Sequence, residues 1–306
     1  MQYLCDNDID KPIGSVVYTQ MLNPRGGIEC DFTVTRLAQD RFRIITGTAF
    51  GEHDRSWIKL NMPSDADAVI EDVTSQYACI GLWGPRARTI LQRVTKSNVS
   101  NEAFPYMTAQ NIAVGDVPTL AVRVTYVGEL GWEFYCPMEY GQRLWDVLWQ
   151  AGQAEGIVAA GYRAIDTLRL EKGYRYWGAD ITPDYTPFEA GMGFAVRLEK
   201  SNFNGRDALA KQKAEGIKRK LCCLSLADKT VIALGNEPVR QNNKIVGWIT
   251  SGGYGYTIGK SIAYAYLPLE LATVGATLDV ELFGERIAAT VEREPLWDPK
   301  GERIKA

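Results

Sequence analysis

The hydrophobic pattern changes near residue 217, and that change constrains the fold more than any single motif. Upstream of it, helix-period and strand-period segments are mixed. From Leu221 onward no helical stripe remains, only short strand runs with turn residues at Gly235-Asn236, Asn242-Asn243, Gly252-Gly253 and Gly284-Glu285. A strand-only segment buries its apolar faces by closing on itself or by stacking two sheets, so a small β-barrel or sandwich is expected there. The basic run Lys218-Arg219-Lys220 reads as a linker. It divides the 306 residues into 1–217, of mixed α and β character, and 218–306, all β.

Within the first part, Gly14 to Leu22 and Ile28 to Leu37 are β-rich runs joined by Asn23-Pro24-Arg25-Gly26-Gly27, a hairpin with a Gly-Gly turn. Strands follow at Arg41 to Thr46 and Tyr77 to Leu82, and Pro85 suits the first turn of a helix over Arg86 to Val94. Val122 to Tyr126 and Trp132 to Cys136 flank Gly128-Glu129-Leu130-Gly131 as a second hairpin. Alternation places Glu133 and Tyr135 on one face of that strand, and Trp132, Phe134 and Cys136 on the other. A helix over about Tyr140 to Ala154 carries the stripe Leu144, Val147, Leu148 and Ala151, with Gly156 just beyond its end. A further helix carries Ala164, Leu168 and Gly173, and Asn204 is placed to cap a short helix ending at Gly216.

Residue counts exclude several chemistries. With 34 Lys+Arg against 37 Asp+Glu the net charge is −3, which gives no global positive field for a phosphate backbone, so nucleic acid is not expected as a partner. No run of 18 apolar residues occurs, and the first residues lack a basic and apolar leader, so neither a membrane span nor a secretory signal is expected. Six cysteines without a CxxC spacing predict free thiols in a reducing compartment, the cytoplasm or a mitochondrial matrix. The single histidine, His53, leaves no basis for a Ser-His-Asp hydrolase or a histidine-rich metal site, and no metal is expected. His53 itself, after an apolar strand, reads as solvated or supporting. The run ending Gly259-Lys260-Ser261 imitates a phosphate loop, but Tyr254 stands where its first glycine should be, and a strand follows where a helix is needed.

Two carboxylates stand in unusual places. Asp31 heads the run Phe32-Thr33-Val34-Thr35, and Glu133 is the one charge in Trp132-Glu133-Phe134-Tyr135-Cys136. A half-buried carboxylate in a strand is costly unless something hydrogen-bonds to it. An arginine on a neighbouring strand and a ligand with adjacent N–H donors both satisfy that need.

Tyr18 to Asn23 with Gly26-Gly27-Ile28 and Asp31, then Tyr126 to Glu133, then Leu168 to Gly173, together resemble the glycine-cleavage T-protein (aminomethyltransferase) family. Thr186 to Gly191 and Thr250-Ser251-Gly252 extend the likeness into the C-terminal part. Gly173 to Asp180 and Glu294 to Pro299 resemble most the folate-binding region of dimethylglycine and sarcosine dehydrogenases. The resemblance implies an α+β fold: a three-subdomain cloverleaf, two mixed α/β subdomains plus a C-terminal β-barrel, around a tetrahydrofolate pocket. It also implies that the family's opening strand-helix segment lies outside this chain. The family's catalytic aspartate falls on Asp31 and its pterin-binding glutamate on Glu133. Tyr18, Ile45, Tyr126, Phe134 and Tyr135 match further folate contacts. Ile165 stands where an arginine is common, so Arg163 or Arg169 is expected to hold the ligand's carboxylate.

The activity so implied is tetrahydrofolate-dependent one-carbon transfer. An aminomethyl, iminium or formaldehyde carbon would be taken up to give 5,10-methylenetetrahydrofolate, with Asp31 stabilising positive charge and handling the proton. The expected partner is an FAD-dependent amine oxidase domain or subunit that supplies the carbon. Two alternatives share the scaffold: a non-catalytic folate-binding or regulatory module, and a folate-dependent demethylase.

Overall fold

The protein is described from a computed structural model covering residues 1–306. Its strands are β1 (Val16–Leu22), β2 (Ile28–Arg36), β3 (Phe42–Ile45), β4 (Tyr77–Trp83), β5 (Ala109–Val114), β6 (Val117–Val122), β7 (Gly131–Pro137), β8 (Arg219–Leu226), β9 (Pro238–Gln241), β10 (Lys244–Gly255), β11 (Lys260–Pro268), β12 (Thr277–Leu282) and β13 (Glu285–Val291). Its helices are α1 (Gly51–Leu60), α2 (Ala87–Val94), α3 (Gly141–Gly152), α4 (Arg163–Lys172) and α5 (Arg206–Glu215). The architecture is mixed α and β with a closed six-stranded barrel at the C-terminal end, as the pattern change predicts. The chain divides into two compact units. One comprises Met1–Asp10, Tyr18–Phe32 and Tyr162–Pro299, the other Lys11–Val17, Thr33–Gly161 and Lys300–Ala306.

The second of these is built on the antiparallel sheet β4-β7-β6-β5. Alternation gives the sheet two different faces. Leu82, Trp132, Phe134 and Cys136 point to one side, where α2 and α3 bury them with Ile90, Leu91, Leu144 and Leu148. The opposite face carries Cys79 and Tyr135 as one cross-strand pair and Gly81 and Glu133 as the next. Val16, Ala109, Val122 and Val124 pack with Tyr135 in a second apolar cluster, which Ile45 of β3 joins.

The expected hairpin strand from Val122 to Tyr126 is a loop beyond its first residue; the strand that pairs with β7 is β6, which lies upstream and ends at Val122. Pairing with β7 ends at Val122↔Glu133. Arg123 then turns inward, almost wholly buried, and donates to the Phe104 carbonyl at 2.7 Å. Thr125 Oγ1 accepts from the backbone of Val127 (3.1 Å) and Glu129 (3.4 Å), so residues 123–130 form a loop stabilised by a side chain rather than a ladder.

In the first unit, the barrel closes in the order β10-β11-β8-β13-β12-β9. Cys222, Leu224, Leu226, Ala263, Ala265 and Leu267 fill its interior. The intervening Leu221, Cys223, Tyr264 and Tyr266 point outward and pack on Leu170 of α4 and on Tyr185. Asn242 and Asn243 adopt positive φ at the β9–β10 turn, as expected of a tight hairpin. Gly252-Gly253, read as a turn, lies inside β10 instead. A Cβ on Gly252 would sit 2.4 Å from the Ala233 carbonyl oxygen, so these glycines permit close approach. The cap of α5 is Gly205 at φ +81, not Asn204. His53 lies on α1, an element not foreseen, exposed and 3.0 Å from Asp54 Oδ1. Lys260 pairs with Glu292 at 2.7 Å and Ser261 donates to the Val231 carbonyl, so the phosphate-loop imitation is part of barrel strand β11.

The motifs that carry the resemblance in this unit fold onto one another. Arg169 meets Asp180 at 2.6 Å, Lys172 meets Asp298 at 2.9 Å, and Arg175 meets Glu294. Thr250 Oγ1 and Ser251 Oγ each donate to Asp180 at 2.6 Å, and Tyr266 donates to the Asp180 carbonyl at 2.8 Å. Residues 294–298 are thereby held to the segment that follows α4.

Candidate functional site

In the first unit, Tyr18 on β1 donates its hydroxyl to Asp31 Oδ2 on β2 at 3.0 Å. Gln20 lies two residues along β1, wholly buried, with its amide 3.5 Å from the Tyr18 oxygen and 3.1 Å from Met192 Sδ. Phe194, largely exposed, stacks against Tyr18 with ring centroids 6.2 Å apart. Burial, with the Asp31 charge beside it, holds the Tyr18 phenol protonated well above its ordinary range. Tyr18 is therefore a fixed donor, held against Asp31, a contact that the sequence reading did not anticipate. Gln20 escaped notice because a buried glutamine in a β-rich run gives no chemical signal.

In the second unit, the carboxylate of Glu133 accepts from Tyr135 Oη at 2.6 Å. Burial pushes the Glu133 pKa above the usual carboxylate range, opposed by the Tyr135 hydrogen bond and by no cation. Cys79, across the ladder from Tyr135, is pushed up to about 12 by burial and the nearby Glu133 charge. Tyr126 lies half-buried in the loop after β6, and Ile45 packs in the cluster that contains Tyr135.

Two expected contacts find no place for their side chains. Phe134 has no exposed surface and lies in the core beneath the helices, on the opposite face from Glu133. Alternation already required this, since neighbours in a strand cannot share a face. Arg169 is buried and bound to Asp180, with a further contact to Ser251 Oγ at 3.3 Å, so its guanidinium works inside the fold rather than as a clamp for a ligand carboxylate. Arg163, the other candidate, stands exposed at the start of α4. A residue missed by sequence reasoning is Trp83, the last residue of β4. The strand was read only to Leu82, because Gly84-Pro85 marks a break just beyond.

A half-buried carboxylate with a phenol as its donor has room for a ligand that brings its own N–H groups. Carboxylates accept several hydrogen bonds, and Glu133 has capacity beyond the one from Tyr135.

Comparison with known proteins points the same way. Residues 1–200 match the GCVT N-terminal domain family, and residues 219–298 match the glycine cleavage T-protein C-terminal barrel domain family. The mitochondrial dimethylglycine dehydrogenase of Rattus norvegicus is 39% identical over 298 residues, covering 97% of this chain and 35% of that protein. The mitochondrial sarcosine dehydrogenase of Mus musculus is 37% identical over 325 residues, with 99% and 35% covered. The chain thus spans about a third of the length of the curated dehydrogenases it matches. An aminomethyltransferase of Desulfitobacterium hafniense (strain Y51) is 34% identical over 292 residues, with 95% and 79% covered. Among solved structures, the glycine cleavage system aminomethyltransferase T from Bartonella henselae superposes with a TM-score of 0.86 at 26% identity, covering 97% of this chain and 80% of that one.

Proposed function

This chain belongs to the glycine cleavage T-protein family, and from that premise we propose that it performs tetrahydrofolate-dependent one-carbon transfer. The product would be 5,10-methylenetetrahydrofolate, formed from an aminomethyl group or from an iminium or formaldehyde carbon. Bound tetrahydrofolate supplies the nucleophilic nitrogens for that carbon. The supporting observation is Glu133, a half-buried carboxylate in an apolar strand that no cation compensates and whose hydrogen-bond donor is a tyrosine.

In this reading Glu133 accepts from the pterin edge, and Tyr135 fixes the carboxylate's orientation. Asp31, oriented by the Tyr18 hydroxyl, stabilises positive charge on a reacting nitrogen and takes up the proton released there. Tyr126 and Ile45 would form part of the ligand's surroundings. The carbon donor is proposed to be an FAD-dependent amine oxidase domain or subunit, in keeping with relatives that are named dehydrogenases and are about three times as long as this chain. None of the six cysteines is in a disulfide, which suits the proposed reducing compartment.

Calorimetric titration of the chain with tetrahydrofolate, then addition of formaldehyde and an assay for 5,10-methylenetetrahydrofolate, tests the proposal. Binding with accelerated product formation is expected. Binding without acceleration would leave only a folate-binding module, and absence of binding would remove the reading.

A further inference from the structure

The face of the second unit's sheet that carries Glu133 also carries an aromatic ring in a prepared seat. Gly81 of β4 stands directly across the ladder from Glu133, and Gly131 stands across from Trp83. Both glycines accommodate the Trp83 indole. A Cβ on Gly81 would lie 2.1 Å from Cη2 and Cζ3 of that ring, and a Cβ on Gly131 would lie 2.5 Å from its Cδ1. The ring therefore lies along the sheet over two positions from which side chains are missing. Its Nε1–H donates to the Val124 carbonyl at 3.0 Å, which fixes its rotation. Trp83 remains half-buried, and Gly81, on the edge strand β4, is exposed, so this part of the face is accessible.

Trp132, on the other face, is by contrast wholly covered by core residues. An indole immobilised before a ligand arrives loses little entropy when an aromatic ring stacks on it. Residues directly across an antiparallel ladder have Cβ atoms about 5 Å apart, so the end of the indole over Gly81 lies beside the root of the Glu133 side chain. We infer that Trp83 is the stacking platform for the flat heteroaromatic ring whose N–H edge Glu133 accepts, and so a specificity-determining residue of the site. This inference rests on the folate reading of Glu133 and adds a second wall to it.

The test is calorimetric titration of the full chain and its Trp83→Leu, Trp83→Phe and Glu133→Ala variants with tetrahydrofolate, and with para-aminobenzoylglutamate, which lacks the heteroaromatic ring. Trp83→Leu is expected to lose about tenfold to a hundredfold in affinity for tetrahydrofolate, the range of one aromatic stacking contact, and Trp83→Phe much less. Affinity for para-aminobenzoylglutamate should be the same in all three Trp83 forms. If Trp83→Leu binds tetrahydrofolate as the wild type does while Glu133→Ala is weakened, the platform is refuted and the folate reading stands. If neither substitution matters, the folate reading itself fails. Should Trp83→Leu not fold, the emission difference between wild type and Trp83→Phe decides. Quenching of that difference by saturating tetrahydrofolate is expected, and its absence overturns the inference.

Discussion

Two kinds of buried or half-buried carboxylate coexist in this chain. Asp180, Asp298 and Glu294 each face a guanidinium or ammonium group, and Asp180 accepts from Thr250 and Ser251 as well. Glu133 faces a phenol. A cation compensates charge, whereas a phenol offers one hydrogen bond and leaves most of the desolvation cost in place, which is why the Glu133 pKa is raised. The first kind locks segments together. The second, in the proposed function, is the acceptor for a ligand, and perturbed groups of this sort concentrate at functional sites.

The sharpest way to break this contrast is Asp180→Ala, which leaves Arg169 buried without its counter-charge. Stability should fall by about 3–5 kcal/mol in chemical denaturation followed by circular dichroism. A fall below about 1 kcal/mol would place Asp180 outside the locking class. A smaller loss is expected for Asp31→Asn, where tetrahydrofolate affinity should persist while turnover drops about a hundredfold, the lower range for losing an acid-base group. Full turnover in that variant would end the proposed role of Asp31.

Asp6, with no exposed surface, falls between the two kinds: it accepts from Thr19 Oγ1 at 2.9 Å and from the Gln20 backbone N–H at 2.8 Å, with the Lys200 charge acting on it as well. Burial pushes its pKa up to about 6 from the ordinary 3.8. Between those values the native state keeps a proton that the unfolded chain has released, so the Asp6 contribution to stability falls as pH rises through that window and the cost is complete above about 6. Asp6→Asn should therefore gain on the wild type by about 2–3 kcal/mol between about pH 4 and pH 7. A stability difference that is flat with pH would show that Asp6 does not titrate there.

The barrel was legible because strand-period runs and asparagine or glycine turns are local signals. So was α3, through the stripe that ends in Leu144 and Leu148 buried against the sheet. Helix α1 was not, because only Asp54 and Ile58 of its ten residues are buried and it has no apolar stripe to read. The run after Val122 reads as a strand because its β-branched residues outweigh the inward Arg123, whose acceptor, the Phe104 carbonyl, lies 19 residues away. The two carboxylates could be singled out from sequence, since a charge in an apolar strand is conspicuous. Their donors were half-legible: Tyr135 follows from alternation, but the Tyr18–Asp31 contact needs the register of two strands. Arg169 was misread for a related reason, since Asp180, eleven residues away, reaches it only through tertiary folding.

The central claim is that Glu133 serves a ligand rather than the fold, and Glu133→Gln tests it most directly because it keeps the shape and removes the charge. Calorimetry with tetrahydrofolate and a thermal unfolding scan would be run on the same preparation. The account predicts at least about a tenfold loss of affinity, because the amide turns a donor toward the ligand's own donors. It also predicts a midpoint at or above that of the wild type, because a half-buried charge has gone. Unchanged affinity, or a midpoint lowered as far as that of Asp180→Ala, would contradict it.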